Sequence, residues 1–137
     1  MRAIAVLGLF LLLAPAAAGA GTEVVVVDVD ADINPVTAEF VKRIVEEAAA
    51  EGAPAVVLRI NTPGGRLDST REITKSILSS EVPVVGFVHP PGSQAASAGF
   101  IILMACDVAA MAPGTNAGAA SPVGGAGKNS RRRSARR

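Results

Sequence analysis

A chain of 137 residues has room for one modest domain, and a composition that is 50% hydrophobic is enough to bury its core. Aromatic residues make up only 3%, with no Trp or Tyr, so the core is built from Val, Ile, Leu and Ala, and the stacking platforms of single-stranded nucleic-acid readers are excluded. The formal charge of +1 hides an asymmetry: Lys128, Arg131, Arg132, Arg133, Arg136 and Arg137 crowd the C-terminus, while Gly21–Gly127 holds 6 basic against 12 acidic residues and is net −6.

The chain opens MRAIAVLGLFLLLAPAAAGA, with one basic residue (Arg2), an apolar run from Ile4 to Leu13, a break at Pro15 and the small-x-small triplet Ala18-Gly19-Ala20. This reads as a secretory signal, residues 1–20, cut after Ala20. An uncleaved anchor is the alternative, although the run is short for the ~20 residues of a spanning helix. Both place the rest of the chain at the periplasmic or extracytoplasmic face of the membrane.

Glu23–Val29 (EVVVVDV) is a continuous Val run, expected as a strand buried on both faces of a parallel sheet. Asn34 offers an N-cap and Pro35 a first helical position, after which Phe40, Val41, Ile44, Val45 and Ala48 recur at helical spacing. Glu39–Arg43, Lys42–Glu46 and Arg43–Glu47 fall at i,i+4 on the solvated side, and Gly52 closes the helix. Ala55–Ile60 is a second strand, Asn61–Gly65 a tight loop, and Leu67–Leu78 a second helix with Leu67, Ile73, Ile77 and Leu78 inward. Pro83–Val88 is a third strand. An Ala-rich helix follows from about Ala95 to Ala105, apolar on every side and so expected as a buried central helix. A short strand Val108–Ala112 and a Gly/Ala/Ser loop region Pro113–Gly127 complete the body. The alternation of strand and helix predicts an α/β layered fold of repeated β-α units with right-handed crossovers.

Two places offer fixed backbone N–H groups for a developing oxyanion: Gly64-Gly65, directly after the second strand, and the first turn of the Ala-rich helix at Ser97-Ala98. With both at one sheet edge, a carbonyl carbon would sit near Ser97 Oγ with its oxygen against the Gly65 and Ala98 amides. From composition and spacing alone the alternatives stay open, since Pro-Gly-Gly after a strand is commonly a turn and one Ser among alanines commonly a packing residue. Cys106, beside Met104 and Ala105, reads as a buried small apolar residue.

The ordered strings NTPGG, VPVVGFVHPPGSQAASAG and AAMAPGTNAGAASPV resemble the protease domain of the NfeD family, membrane-bound serine proteases that partner stomatin-like proteins and belong to the wider Clp-protease/crotonase-like group. The resemblance runs from about Val24 to Gly125. It implies a Clp-protease/crotonase-like fold, incomplete at the C-terminus, and a serine endopeptidase cleaving hydrophobic segments of membrane-protein partners. By the same resemblance Ser97 lands on the nucleophile, Gly64 and Gly65 on the oxyanion-hole loop, Ala98 on the second donor, and Pro113–Val123 on a cleft wall. A stomatin-like partner and a homo-oligomer are implied; no cofactor and no metal are expected.

The family's general base is a lysine beyond the SPVGG segment. Here the chain instead reads GAGKNSRRRSARR, and Lys128, the one lysine after Ser97, stands among arginines with no apolar sequence to bury it, which makes it a weak candidate. His89 is a second weak candidate by its place near the Ser97 loop; Lys42 and Lys75 read as surface charges and Asp107 as a strand-entry cap. The sequence therefore divides into a signal (1–20), a partial protease domain (21–127) and a basic tail (128–137) that reads as a departure from the family's reading frame. An inactive truncated fragment or scaffold is the competing reading, and a crotonase-type oxyanion-hole enzyme a third.

Overall fold

The computed structural model describes residues 23–120. The signal segment, Lys128 and the basic tail lie outside them. Strands β1 (Val25–Val29), β2 (Val56–Ile60), β3 (Val84–Val88) and β5 (Val108–Met111) form one parallel sheet in the order β1-β2-β3-β5. Helices α1 (Pro35–Ala50), α2 (Leu67–Leu78) and α3 (Ala98–Ala105) occupy the connections. A second, two-stranded parallel sheet joins β4 (Gln94–Ala96) to β6 (Asn116–Gly118).

Each principal strand is added at the same growing edge, so crossovers of one hand lay all three helices on one face. Burial follows: Val27, Val29, Val56, Leu58, Ile60, Val84 and Val88 point into the helices and are buried with Val41, Val45, Ile73, Ile77, Ile102 and Leu103. At Gly86 a side chain would meet Leu103 Cδ1 at 2.7 Å and Cys106 Sγ at 3.0 Å, so its hydrogen is what lets α3 settle onto β3. The alternate residues face outward. Val26 is 54% exposed and Val24 and Val108 are similarly open, while the neighbouring Asp28 and Arg59 pair across the register through two hydrogen bonds of 2.6 and 2.5 Å. That guanidinium holds the Asp28 carboxyl below the usual carboxylate range.

The Val run is thus buried on one face only, not on both, because among the described residues no element packs on the far side of the sheet. The helix faces also need correction. Leu67, Leu78 and Phe40 are exposed, because the buried stripe of α2 passes through Ser69, Thr70, Ile73 and Ile77, and that of α1 through Ala38, Val41, Val45 and Ala48. Of the three expected ion pairs on α1 only Arg43–Glu47 forms, at 3.9 Å, with Arg43 also over the Phe40 ring. Helix α3 is not a fully buried central helix. It buries Ala98, Gly99, Ile102 and Leu103 and leaves Met104 64% exposed.

The caps agree with their residues. Asn34 Oδ1 accepts from the N–H groups of Val36 and Thr37, Pro35 opens α1, and Gly52 follows its end with φ 68°. Asp107 Oδ2 accepts the Val84 N–H at 2.7 Å, pinning the entry of β3 as a cap does. No helix among the described residues is long and apolar enough to cross a membrane. Replacing the α1 cap, Asn34→Ala, is expected to lower unfolding free energy by about 1 kcal/mol in urea denaturation, since two N–H groups lose their acceptor.

Candidate functional site

The C-terminal rim of a parallel sheet is where strand ends release chain into loops, and here three of those loops are stitched together. The segment leaving β2 is bonded on both flanks. On one side Ile33 N–H donates to Gly64 O at 2.8 Å and Arg66 N–H to Ile33 O at 2.8 Å. On the other, Thr62 N–H donates to Gln94 O at 2.7 Å and Ala96 N–H to Thr62 O at 3.0 Å, so Thr62 runs as a short strand beside β4. Strand β6 closes the far side of β4, and Ser97 N–H donates to Gly118 O at 2.7 Å.

This pairing corrects two expectations. Residues 95 and 96 belong to β4 and α3 begins at Ala98, because the backbone groups on both sides of β4 are taken by neighbouring segments; tertiary hydrogen bonding overrides the helix propensity of alanine. The region after Pro113 is likewise not all loop, since Asn116–Gly118 is paired.

Ser97 sits at the corner between strand and helix with φ 51° and ψ −108°. A residue with a Cβ rarely adopts this conformation, which costs roughly 1–3 kcal/mol. It persists because the chain is fixed on both sides, by the β4 bonds before it and by Ile101 N–H donating to Ser97 O at 3.3 Å after it. The corner turns the half-buried side chain towards the glycine loop. A Cβ built on Gly64 would lie 3.0 Å from Ser97 Cβ and 3.5 Å from Ser97 Oγ, so the missing side chain of Gly64 is the space beside the hydroxyl. Gly65 is pressed against the other flank, where a Cβ would fall 2.1 Å from Ile33 O. The doubled glycine is required twice over, once by each neighbour.

The structure therefore brings Ser97, Gly64, Gly65 and Ala98 to one place. Their amides are not equivalent. Gly64 N–H already donates to Thr62 Oγ1 at 3.2 Å, whereas no acceptor among the described residues takes the N–H of Gly65 or of Ala98, the first residue of α3. Two surface concavities of about 470 and 390 Å³ lie elsewhere, over the first turns of α1 and between the ends of α1 and α2, and neither includes these residues.

The titratable groups nearby are arranged structurally. His89 is half-buried and lies with its ring 5.1 Å from Phe87, on the outward side of β3. The Arg66 guanidinium, with the Ser69 N–H, holds the Asp68 carboxyl at about 2, so this carboxylate stays charged and its support is lost only as pH falls from near 4 through about 2. Lys42 and Lys75 lie on α1 and α2, and Lys128 is outside the described residues. No cluster of metal-ligating side chains occurs among the described residues. Burial, with the neighbouring Asp107 charge, pushes the Cys106 thiol up to about 12, and its Sγ donates to Ile102 O at 3.3 Å.

Thr62 was not among the residues singled out from the sequence. It is fully buried, and its Oγ1 both accepts from Gly64 N–H and donates to Gly64 O, each at 3.2 Å. The available signal was its spacing: a hydroxyl two residues before a glycine, at a strand exit, is the pattern of a side chain that replaces a backbone turn bond.

A family model described as NfeD1b, N-terminal domain, matches residues 23–136. Membrane-bound protease PH1510 of Pyrococcus horikoshii is 39% identical over 97 residues, covering 71% of this chain and 22% of the relative. The 1510-N membrane-bound stomatin-specific protease, solved as a lysine-to-alanine mutant with a substrate peptide, superposes with a TM-score of 0.73 at 38% identity over 77% of this chain and 48% of that one. A ClpP1 mutant from Listeria monocytogenes gives 0.57 at 26% identity, covering 66% of this chain and 52% of that one, which identifies the layered sheet as Clp-like. The chain spans about a fifth of the length of the curated relatives it matches.

Two outcomes follow from the site's geometry. Ser97→Gly, which relieves the backbone, is expected to unfold at a higher temperature than Ser97→Ala, which keeps the Cβ, by the equivalent of about 1 kcal/mol after the extra chain entropy of glycine is subtracted. At pH 9, alkylation of Cys106 by iodoacetamide is expected to be far slower in the folded than in the urea-unfolded chain. The raised thiol also makes stability decline as pH climbs above the unfolded thiol's value towards about 12.

Proposed function

The chain belongs to the NfeD1b N-terminal-domain family, and from that membership we propose that it is the catalytic domain of an exported, membrane-associated serine endopeptidase with Ser97 as nucleophile. The observation that carries the reading is the strained corner that sets the Ser97 hydroxyl beside Gly64, with the neighbouring Gly65 and Ala98 amides lacking an acceptor among the described residues.

In the proposed reaction Ser97 Oγ attacks the carbonyl carbon of a peptide bond. Its proton passes to a neutral amine, and the carbonyl oxygen becomes an alkoxide that accepts from Gly65 N–H and Ala98 N–H. Both donors are fixed beforehand, so no reorganisation accompanies charge development, and the open N-terminus of α3 adds its dipole. Collapse of the intermediate breaks the C–N bond, the departing amine takes the proton, and an acyl-Ser97 ester remains for water to hydrolyse. The role of Gly64 is to leave room, since its own amide is engaged by Thr62.

The amine is expected from lysine, by the family resemblance. Such a lysine must be desolvated to bring its pKa down from about 10.4. Lys128 is this chain's weak candidate for that role, since it stands among arginines with no apolar sequence to bury it. The substrate is a hydrophobic segment of a stomatin-like membrane protein, by analogy with the stomatin-specific relative bound to a substrate peptide, and we place the domain at the extracytoplasmic face, in a homo-oligomer, from the signal-like N-terminus and the family resemblance.

A fluorophosphonate probe tests the nucleophile. The chain is expected to be labelled at Ser97 and Ser97→Ala is not. The labelling rate is expected to rise with pH through one ionisation, because only the unprotonated lysine accepts the serine proton. Label that persists in Ser97→Ala removes Ser97 from the mechanism, and absence of label from the unsubstituted chain favours a non-catalytic scaffold.

A further inference from the structure

We infer that Thr62 is a positioning residue for the Ser97 site: its hydroxyl locks the Gly64–Gly65 peptide in the orientation that keeps the Gly65 N–H free to receive a carbonyl oxygen. The inference rests on the reading of Ser97 as nucleophile.

The geometry turns on one peptide unit. Gly64 C=O and Gly65 N–H belong to the same planar trans peptide, so they point in opposite directions. The oxygen is directed at Ile33 N–H, 2.8 Å away, and the N–H is therefore turned away from Ile33. Both flanking residues are glycines with positive φ, 127° and 158°, so no side chain resists rotation of this unit. Rotation would exchange a donor for an acceptor at the place where negative charge has to develop. Only hydrogen bonds hold the unit in place: Gly64 O accepts from Ile33 N–H at 2.8 Å and from Thr62 Oγ1 at 3.2 Å, and Thr62 Oγ1 also accepts the Gly64 N–H of the preceding peptide at 3.2 Å, fixing the unit from the side that Ile33 does not reach.

Thr62 can serve as a fixed reference because it is itself immobilised. It is fully buried, and its own N–H and C=O are bonded to Gln94 and Ala96, the residues leading into Ser97. Its methyl packs against Gly99 so closely that a Cβ there would lie 2.5 Å from Thr62 Cγ2. Asn61 reinforces the same junction, its Oδ1 accepting Gln94 N–H at 3.2 Å. One side chain thus ties the orientation of the donor loop to the position of the nucleophile. The hydroxyl does the orienting and the methyl does the packing, and substitutions can separate them.

The test uses the whole chain, a fluorophosphonate probe and thermal unfolding on each variant. Thr62→Val keeps the branched shape and removes the hydroxyl; Thr62→Ser keeps the hydroxyl and removes the methyl; Thr62→Ala removes both. Labelling of folded Thr62→Val is expected to fall about 10- to 100-fold, short of or equal to the loss of one whole oxyanion donor. Thr62→Ser is expected to restore most of it. Should Thr62→Val not fold, the Ser and Ala variants differ by the hydroxyl alone, and Ser is expected to label at least 10-fold faster. With a peptide substrate the loss is expected in kcat with KM little changed. Equal losses in Ser and Ala that track melting temperature overturn the inference in favour of packing. Label that follows Ser97 but ignores Thr62→Val overturns it alone, whereas absence of Ser97-dependent label in the unsubstituted chain overturns it together with the nucleophile reading.

Discussion

Between Asn61 and Arg66 the backbone leaving β2 is hydrogen bonded on one flank to Ile33 and on the other to β4. Remove that double attachment and the site has no geometry, because the glycine loop, the corner at Ser97 and the start of α3 are positioned relative to it and not to one another. It also explains why so short a sheet as β4–β6 exists. Three residues of strand add little stability of their own, but they fix Ser97 from behind and convert a flexible serine into one whose backbone has no freedom left. The strain at Ser97 is tolerated because the bonds around it, taken together, are worth more than the roughly 1–3 kcal/mol it costs.

Much of this organisation was legible in the residues. Asn34-Pro35 announced the start of α1 and Gly52 its end, and the limits of α2 were read to the residue. β1, β2 and β3 follow from Val-rich runs separated by turn residues, and β5 from the short apolar run VAAM after Asp107. What could not be read is what depends on partners distant in the chain. Ala95 and Ala96 look helical because alanine is a good helix former, and only the presence of Thr62 and Asn116–Gly118 on either side makes them strand. Leu67 and Leu78 look inward by hydropathy, yet the stripe of α2 that meets the sheet runs through Ser69 and Thr70 instead. Ser97 and the glycine pair are visible in the residues as a hydroxyl and two sets of backbone donors, but only the ordered motifs separate a catalytic reading from a turn and a packing residue. Thr62 was passed over because a threonine before proline reads as a turn residue, and its burial is decided by a glycine 37 residues further on, Gly99.

The outward face of the sheet is the least self-sufficient part of the domain. Val24, Val26 and Val108 are exposed on it, next to the Asp28–Arg59 pair, while β1 and β5 end the sheet at either side with no further strand among the described residues. Exposed sheet edges and apolar faces of this kind favour association. The helices that follow Ser97 and the glycine loop lie on the opposite side of the sheet, and Asn61 links the two regions, donating to Asp30 Oδ1 at 2.8 Å and accepting the Gln94 N–H of β4 at 3.2 Å.

The backbone angle at Ser97 also limits which side chains this corner can hold. A second branch at Cβ is poorly accommodated at φ 51°, so threonine, the other alcohol that enzymes use as an attacking group, is excluded from the corner. Cysteine, unbranched and of similar shape, is not. The corner therefore holds a serine, a cysteine or, with a relaxed chain and no side-chain heteroatom, a glycine.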